Sequence, residues 1–352
     1  MVCLLADLWD IAHPNYSKQK LNGTLCHGGR PASAGHSSFN EHRNRCVPFY
    51  QERSIMKRTI ISLLAIWFLG GTNEVLAHPG SGVVVDRQGN IYFVDTGSGV
   101  WKIDRKSKLT RLSGPAYHWM AIDIDGRLKD ATLPYFSSGD ATVTRVGVNP
   151  TLILASDFPI TVGRDGKLYY PWFPTGEQLQ VFSLAPSGST IVFKALRATT
   201  ESGPLRWLNG IAAAPDGSLY YTENRAVRRI SPQGKLTTVV ENVTLSGCDS
   251  VPGIEANLGP CFRGLDVDAH GTVYVAATGC SAVLKITPDK KVTTVLQTSR
   301  PWSPTGVAVS GDDLYVLEYF HTAGDNRREW LPRIRKLTSD GHVVTVATID
   351  RR

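Results

Sequence analysis

The feature that most constrains this chain is a unit of four short β-strands that recurs along it. In its clearest copy, Gly82-Val83-Val84-Val85-Asp86 is followed by a Gln88-Gly89-Asn90 turn and then by Ile91-Tyr92-Phe93-Val94-Asp95. Short runs of β-branched and aromatic residues, bounded by Gly, Asn or Asp, are typical of an antiparallel meander. Similar units begin at Gly210, Gly264 and Gly306, and two weaker copies lie between the first of these and the clearest copy.

Six repeats of this length predict an all-β fold, a six-bladed β-propeller with four-stranded antiparallel blades. The first and last repeats each contain four strands of their own, so we expect no strand exchange between the termini. The predicted blades span about 78–113, 119–156, 159–196, 207–243, 262–298 and 302–349.

The residues before the repeats have the pattern of a secretory signal peptide at 56–77. A basic start at Met56-Lys57-Arg58 precedes an apolar run from Ile60 to Leu69, and Val75-Leu76-Ala77 supplies small residues for cleavage. The apolar run is shorter than the roughly 20 residues that span a bilayer. We therefore expect an over-extended, disordered start at 1–55 and a secreted or periplasmic protein that begins at His78. The alternative is a genuine N-terminal tail before a signal anchor.

Charge and cysteine content narrow the class of protein. The net charge is +7, and Lys and Arg are scattered among acidic residues, which predicts no nucleic-acid partner. After cleavage we expect no membrane span and a monomer. Three cysteines remain, Cys248, Cys261 and Cys280, which allow one disulfide in any of three pairings.

Polar residues of several repeats are predicted to meet at one end of the propeller channel. In a propeller, the loops that lead into the inner strands lie on the same face as the loops between the second and third strands. The first set of loops is predicted to hold His78, His118, Asp157, Asn209, Arg263 and Thr305, and the second set holds Asp95, Glu223, Asn224, Glu318 and His321. This convergence predicts a small-molecule site at the channel mouth.

One repeat carries a family resemblance. Its segments Asn209-Gly210-Ile211, Pro215-Asp216-Gly217 and Leu219-Tyr220-Tyr221 resemble the repeat of NHL propellers and of the regucalcin/gluconolactonase family. The resemblance implies a six-bladed propeller, and such propellers include lactonases, lyases, hydrolases and binding proteins.

The gluconolactonase resemblance extends to some site positions and fails at others. Asn209 matches the metal-binding Asn of that family. His78-Pro79-Gly80 stands near the position of its first-blade Glu, and Arg263 stands where a metal-binding Asp that also serves as base is expected. The segment Tyr221-Thr222-Glu223-Asn224 is similar to a stretch of the streptogramin lyases, whose Glu helps to hold magnesium.

Three interpretations of the polar mouth remain open. In the first, Glu223, Glu318, Asp95 and Asn209 supply oxygen ligands to calcium. In the second, His78, His118 and His321 hold zinc, an arrangement similar to the amidating lyase of peptide hormones. In the third, the polar residues satisfy buried backbone groups and hold no metal.

The candidate catalytic residues are Arg263, Glu223 and His118. Arg263 is suited to clamp a carboxylate or phosphate, or to stabilise an enolate or oxyanion, and the alternative is an ion pair with Glu223 or Glu318. Glu223 or Glu318 would act as base or metal ligand, and His118 or His321 would transfer protons or bind metal.

The candidate ligand-binding residues include several aromatic side chains near the same loops. They are Asn209, Asn224, Trp119, Trp172, Trp207 and Trp302. The alternative role of the tryptophans is to fill the core between blades.

Together these features predict an exported propeller with metal-assisted hydrolase or lyase activity on a lactone or ester. The alternative is a non-catalytic propeller that binds a ligand or protein partner on the same face.

Overall fold

A computed structural model describes most of the repeated part of the chain. The described residues are 80–113, 117–128, 132–136, 139–142, 144–146, 150–156, 158–172, 178–197, 208–245, 248, 261–320 and 331–350. The predicted start at 1–55 and signal peptide at 56–77 lie outside them. Within these ranges no helix has the length and apolar character needed to cross a membrane.

The described residues form β-strands joined mainly by short turns. The strands of the N-terminal half are β1 (Val83–Val85), β2 (Ile91–Asp95), β3 (Gly99–Ile103), β4 (Leu109–Ser113), β5 (Trp119–Asp123), β6 (Thr132–Phe136), β7 (Gly139–Thr142), β8 (Thr144–Val146), β9 (Thr151–Ala155), β10 (Thr161–Val162), β11 (Leu168–Trp172), β12 (Gln180–Leu184) and β13 (Thr190–Ala195). Those that follow are β14 (Gly210–Ala213), β15 (Leu219–Glu223), β16 (Ala226–Ile230), β17 (Leu236–Val240), β18 (Phe262–Val267), β19 (Val273–Ala277), β20 (Ala282–Ile286), β21 (Val292–Gln297), β22 (Trp302–Ser310), β23 (Asp313–Phe320), β24 (Pro332–Leu337) and β25 (Val343–Thr348). A 3-10 turn at Thr278–Cys280 joins β19 to β20.

Five sheets of the described chain are four-stranded antiparallel meanders. We call them blade I (β1–β4), blade II (β10–β13), blade III (β14–β17), blade IV (β18–β21) and blade V (β22–β25). In each blade the strands pair in sequence order, so every blade is built from one continuous stretch of chain. The prediction of an all-β propeller with four-stranded antiparallel blades is confirmed in this respect.

The prediction of six such blades is wrong, because the described chain forms five. The repeat predicted at 119–156 instead forms a three-stranded sheet in the order β5-β9-β8 and a separate hairpin of β6 and β7. Two strongly apolar strands pair directly here: Trp119 lies opposite Ala155 and Met120 opposite Leu154. The candidate second strand, β6, contains Pro134, which has no N–H for a ladder hydrogen bond and disfavours a central position.

The inner strands pack closely around the axis of the fold. The first strands of the five blades and β5 contact one another in a circuit, β1-β5-β10-β14-β18-β22 and back to β1. Glycine is required where two of them approach: a Cβ on Gly306 would lie 2.2 Å from the carbonyl oxygen of Ser81. A Cβ on Gly264 would lie 2.9 Å from the Cα of Gly306.

Buried side chains join the last blade to the first. Thr305 donates its hydroxyl hydrogen to the carbonyl oxygen of Gly80 at 2.6 Å, and Tyr319 donates to that of Val94 at 2.8 Å. Both donors are fully buried. These bonds satisfy backbone acceptors at the junction where the N-terminal and C-terminal ends of the propeller meet.

Apolar side chains fill the spaces between neighbouring blades. Tyr169 of blade II packs in one cluster with Ile211 and Tyr221 of blade III. Tyr220, the neighbour of Tyr221, packs in another cluster with Val275 of blade IV. Successive residues of β15 therefore face opposite neighbouring blades, as the two-residue period of a strand requires.

Among the described residues, the structure contains one of the cysteine pairings that the sequence allows. Cys248 and Cys280 form a disulfide with a Cα–Cα distance of 4.5 Å. The bond attaches the long connection between blades III and IV to the 3-10 turn of blade IV. Of the three pairings left open by the sequence, the chain uses this one.

Candidate functional site

The positions at which the chain enters the inner strands lie next to one another. We call Gly80–Ser81, His118, Asn209, Arg263 and Thr305 the central mouth. The backbone N–H groups of Ser81 and Gly82 both donate to the carbonyl oxygen of His118, at 2.7 and 2.9 Å. The carbonyl oxygen of Arg263 accepts a 2.7 Å hydrogen bond from the hydroxyl of Thr222 in blade III. Hydrogen bonds thus link the Gly80–Ser81 segment to His118, and Arg263 to the neighbouring blade III.

Arg263, in β18, is a buried cation at this mouth. The residue is only 8% exposed, and its Nη1 atom is buried with no hydrogen-bond partner among the described residues. Within the described ranges it has no carboxylate at ion-pair distance. Burial lowers the pKa of Arg263 to about 10, and the nearby Tyr319 opposes this only in part. Since Tyr319 donates its phenol hydrogen to Val94, it provides no full negative charge.

The carboxylate of Glu223, at the end of β15, forms an ion pair with an arginine of the same blade. Arg228 Nε donates to Glu223 Oε1 at 2.5 Å, and both side chains are almost completely buried. Arg228 also donates to Glu241 at 3.0 Å and to the hydroxyl of Thr238. Burial alone would lower the pKa of Arg228, but the hydrogen bond and attraction of Glu223, helped by Glu241, outweigh it and raise that pKa.

One oxygen of Glu223 has no partner. Its Oε2 atom is buried and accepts no hydrogen bond from any residue that the structure describes. However, strand alternation places the side chains of Thr222 and Glu223 on opposite faces of blade III. Thr222 faces blade IV, where it contacts Arg263, so Glu223 faces away from that arginine. The expected alternative of an Arg263–Glu223 ion pair is therefore absent.

Glu318, in β23, is neutralised in the same way as Glu223. It is fully buried, and its carboxylate accepts hydrogen bonds from Thr298 and Arg333, both at 2.6 Å. Arg335 lies 3.6 Å away as a second cation. An ion pair between Arg263 and Glu318 is also absent.

His118 is held in a defined orientation before β5. Its Nδ1 contacts the carbonyl oxygen of Ser156, and a carbonyl oxygen can only accept. Nδ1 therefore carries the hydrogen, and in the neutral ring Nε2 is the basic nitrogen.

The two predicted asparagine sites differ in position. Asn209 is half-buried directly before β14, and its backbone N–H donates to the carbonyl oxygen of Thr222 at 3.0 Å. Asn224 is exposed in the turn after β15, with a positive φ of 33°. Its carbonyl oxygen accepts from the N–H of Phe262 at 2.8 Å, next to Arg263.

The described tryptophans mainly pack against the protein. Trp119 is 8% exposed within the apolar core. Trp172 packs edge-on against Phe182, with ring centroids 4.9 Å apart. Trp302 is covered by the guanidinium of Arg333 at 3.9 Å from its ring centroid. These contacts agree with the alternative role of filling the space within and between blades.

Four of the predicted residues lie outside the described ranges: His78, Asp157, Trp207 and His321. Among the residues that are described, no three His, Cys, Asp or Glu side chains come together in a group that could hold a metal ion.

Sequence reasoning missed one ionisable residue near the axis, Asp266 of β18. Its carboxylate accepts hydrogen bonds from the N–H groups of Val267 and of Val309 in blade V, both at 2.8 Å. Burial raises the pKa of Asp266 to about 6, although the two N–H groups oppose the shift. No local motif distinguishes Asp266, because its sequence context is that of an ordinary strand residue.

An open groove of about 590 Å³ lies away from the central mouth. Its walls come from the outer strands β17 and β21 and the connection after β17, including Glu241, Leu245 and Lys290. The predicted mouth residues do not line it.

Several solved structures resemble this chain at low sequence identity. Virginiamycin B lyase from Staphylococcus aureus is 16% identical, with a TM-score of 0.44 over 78% of this chain and 85% of that chain. A protein described as a calcium-binding protein, regucalcin, from Agrobacterium tumefaciens is 15% identical, with a TM-score of 0.46 over 70% and 84%. A gluconolactonase from Xanthomonas campestris is 16% identical, with a TM-score of 0.45 over 68% and 84%.

Comparison with protein families gives a more specific result. No curated protein matches the chain significantly. Residues 160–320, which include blades II, III and IV and the first two strands of blade V, match the family described as SMP-30/gluconolactonase/LRE-like region. This match covers less than half of the chain, and over those residues it confirms the resemblance to the regucalcin/gluconolactonase family that the repeats predicted.

Proposed function

We propose that this protein is a hydrolase of lactones or related esters, with its site at the central mouth. The observation that carries the proposal is Arg263, a buried guanidinium with an unpartnered Nη1 at the start of an inner strand. A buried cation that lacks a carboxylate is suited to stabilise negative charge that develops on a substrate. The family match of residues 160–320 supports enzyme-type chemistry on this scaffold.

The reaction needs a proton acceptor as well as an anion-stabilising group. In the proposed step, His118 Nε2 takes a proton from water while the water oxygen adds to the carbonyl carbon of the substrate. The carbonyl π electrons move onto oxygen, and Arg263 stabilises the resulting oxyanion. Collapse of this intermediate breaks the ester C–O bond, and the leaving oxygen takes its proton from His118.

Arg263 and His118 both belong to segments that border Ser81. The Ser81 N–H bonds the carbonyl oxygen of His118, and the Ser81 carbonyl oxygen lies 3.5 Å from where a Cβ on Gly264 would be. The segments that carry the two residues therefore flank the same short stretch of chain before β1. Since strands rather than long loops carry Arg263 and the neighbours of His118, their positions are well fixed.

Calcium or another divalent cation, implied by the family resemblance, does not fit the described side chains. Glu223 and Glu318 each bond arginine, and Arg263 stands where that resemblance places a metal-binding Asp. A positive residue at that position repels a cation. We derive no catalytic step through a metal, and a metal site would need oxygen ligands from outside the described residues.

A hydrolysis screen tests the proposal. We would measure acid release by the full chain from δ-gluconolactone, γ-butyrolactone and phenyl acetate in a lightly buffered solution. Hydrolysis above background that falls about 100-fold in Arg263→Met and in His118→Gln is expected, since one oxyanion donor is worth that much or more. Arg229→Met, on the exposed part of blade III, is the matched control. Unchanged hydrolysis in both site variants would refute the assignment.

Absence of hydrolysis across the panel would favour the other class of function. In that case the same face would act as a non-catalytic binding surface for a small molecule or a protein. Export of the chain is part of the proposal and is tested separately, by sequencing the N-terminus of protein secreted from cells for a start at His78.

A further inference from the structure

The ionisable residues of the central mouth and the strands beside it do not balance in charge. Glu223 is bonded by Arg228, and Glu318 by Arg333 with Arg335 close by. The carboxylate of Asp95 accepts from the N–H of Gly97 at 3.1 Å and from the hydroxyl of Ser98. Each of these carboxylates therefore has its own donors.

Arg263 is the residue that remains without such a counter-ion among the described residues. Two other arginines with little exposure each bond a carboxylate: Arg228 has a side-chain exposure of 3% and Arg333 of 18%. Arg263 is more than nine-tenths buried and has neither a carboxylate nor any acceptor for Nη1. Burial of an ion without a partner costs several kcal/mol, so an external anion would be bound favourably here.

We infer that Arg263 forms a carboxylate-binding site, in which a bound organic acid takes the place of the missing counter-ion. A guanidinium presents parallel N–H donors that match the two oxygens of a carboxylate. The site thus has the opposite charge preference from the cation site that the gluconolactonase resemblance implies at the same position.

This inference deepens the proposed function and rests on it for the identity of the natural ligand. Hydrolysis of a lactone or ester releases a carboxylic acid, so the product of the proposed reaction is itself a ligand for Arg263. Carboxylate binding would then appear as product inhibition. The binding step itself requires no turnover and can be measured in a protein that hydrolyses nothing.

Acetate titration of the full chain tests the inference. Isothermal titration calorimetry would be performed near pH 7.5 at constant ionic strength, with acetate replacing chloride. Saturable 1:1 binding is expected, weakened by about 10-fold or more in Arg263→Met, since that variant loses the charged hydrogen bonds to the carboxylate. Arg263→Lys should retain part of the affinity, and Arg229→Met all of it. Acetamide, the neutral analogue, should not bind.

The outcomes separate the inference from the function. No saturable binding of acetate by the parent chain, or equal binding by Arg263→Met, overturns the carboxylate site. Inorganic phosphate bound at Arg263 in preference to acetate overturns the choice of ligand class. Acetate binding without hydrolysis of any ester retains the site and removes the proposed activity, whereas hydrolysis without acetate binding does the reverse.

Discussion

Replacement of Arg263 by Met is expected to stabilise the protein, although it removes a large buried side chain. Met has a similar unbranched stem and no charge, so it retains most of the apolar contacts made by the arginine. It removes the cost of burying a guanidinium whose Nη1 has no partner in the described part of the chain. The expected sign is the opposite of that for most substitutions of buried residues.

The magnitude follows from the pKa of Arg263. Burial lowers this pKa from the ordinary value of an arginine to about 10, and one pKa unit corresponds to about 1.36 kcal/mol. The charged side chain therefore destabilises the folded state by roughly 3 kcal/mol near neutral pH. Because the protein around it can relax and admit water, we expect Arg263→Met to raise the free energy of unfolding by about 1–3 kcal/mol.

Arg228→Met is the matched contrast. Arg228 is also buried, but it bonds Glu223 and Glu241. Its loss leaves Glu223 as a buried carboxylate without a counter-ion, which typically costs about 3–5 kcal/mol. Two arginine-to-methionine substitutions in adjacent blades should thus change stability in opposite directions.

Urea unfolding followed by tryptophan fluorescence measures both effects. The buffer must lack carboxylates and phosphate, because an anion bound at Arg263 would stabilise the parent chain. A decrease in stability of more than about 1 kcal/mol for Arg263→Met under these conditions would show that the guanidinium is compensated, and would refute the reasoning.

The pH dependence gives a second check with a definite sign. Because burial lowers the pKa of Arg263 to about 10, we expect the folded parent chain to release this proton at a lower pH than the unfolded chain does. The unfolded state then binds more protons, so this group makes the parent chain more stable as pH rises. The advantage of Arg263→Met should therefore shrink above pH 10. Buried tyrosines such as Tyr221, whose pKa burial also raises, are present in both proteins and cancel in the difference.

Two further substitutions test other parts of the fold. Burial raises the pKa of Asp266 to about 6. Between about pH 4 and pH 6 the folded state therefore holds a proton that the unfolded state has lost. The stability that this proton contributes declines as the pH rises through that window. The stability difference between the parent chain and Asp266→Asn, from urea unfolding at several pH values, should decline over that window, and a constant difference would contradict the assignment. Gly306→Ala would place a Cβ 2.2 Å from the Ser81 carbonyl oxygen and should cost about 3 kcal/mol or more. Gly311→Ala, with open space but a φ of 61°, should cost only about 1 kcal/mol by the same measurement, and equal costs would contradict close packing of the inner strands.

The regular blades could be predicted from sequence because their signals are local. In blade I the predicted second strand at Ile91–Asp95 has those bounds in the structure, since a run of β-branched and aromatic residues is enclosed by turn-forming ones. The region 119–156 could not be predicted in this way. There the pairing of β5 with β9 joins strands far apart in sequence, and periodicity within each strand says nothing about which partner it takes.

The mouth could be predicted only as a set of positions. Topology brings His118, Asn209 and Arg263 to the starts of inner strands, which the repeat already indicated. The partners of the acidic residues depended on side-chain register across a hairpin: Glu223 lies opposite Ala226, and Arg228, two residues further on the same face, reaches it. Glu318 lies directly opposite Arg333 on the next strand. Knowledge of the hairpin register would have revealed both pairs.

These pairs change the interpretation of the site. A set of acidic residues near a channel suggests a cation site, but a carboxylate that already bonds an arginine attracts a cation far less. In this protein the buried acids Glu223 and Glu318 are neutralised within their own blades, whereas no described residue neutralises the buried Arg263 of blade IV. The charge that remains after buried acids and arginines have formed ion pairs therefore predicts the charge of the ligand better than the number of acidic residues does. On that basis the central mouth is expected to select an anion, and the arginine at position 263, where the gluconolactonase resemblance implies an Asp, is the residue that determines this preference.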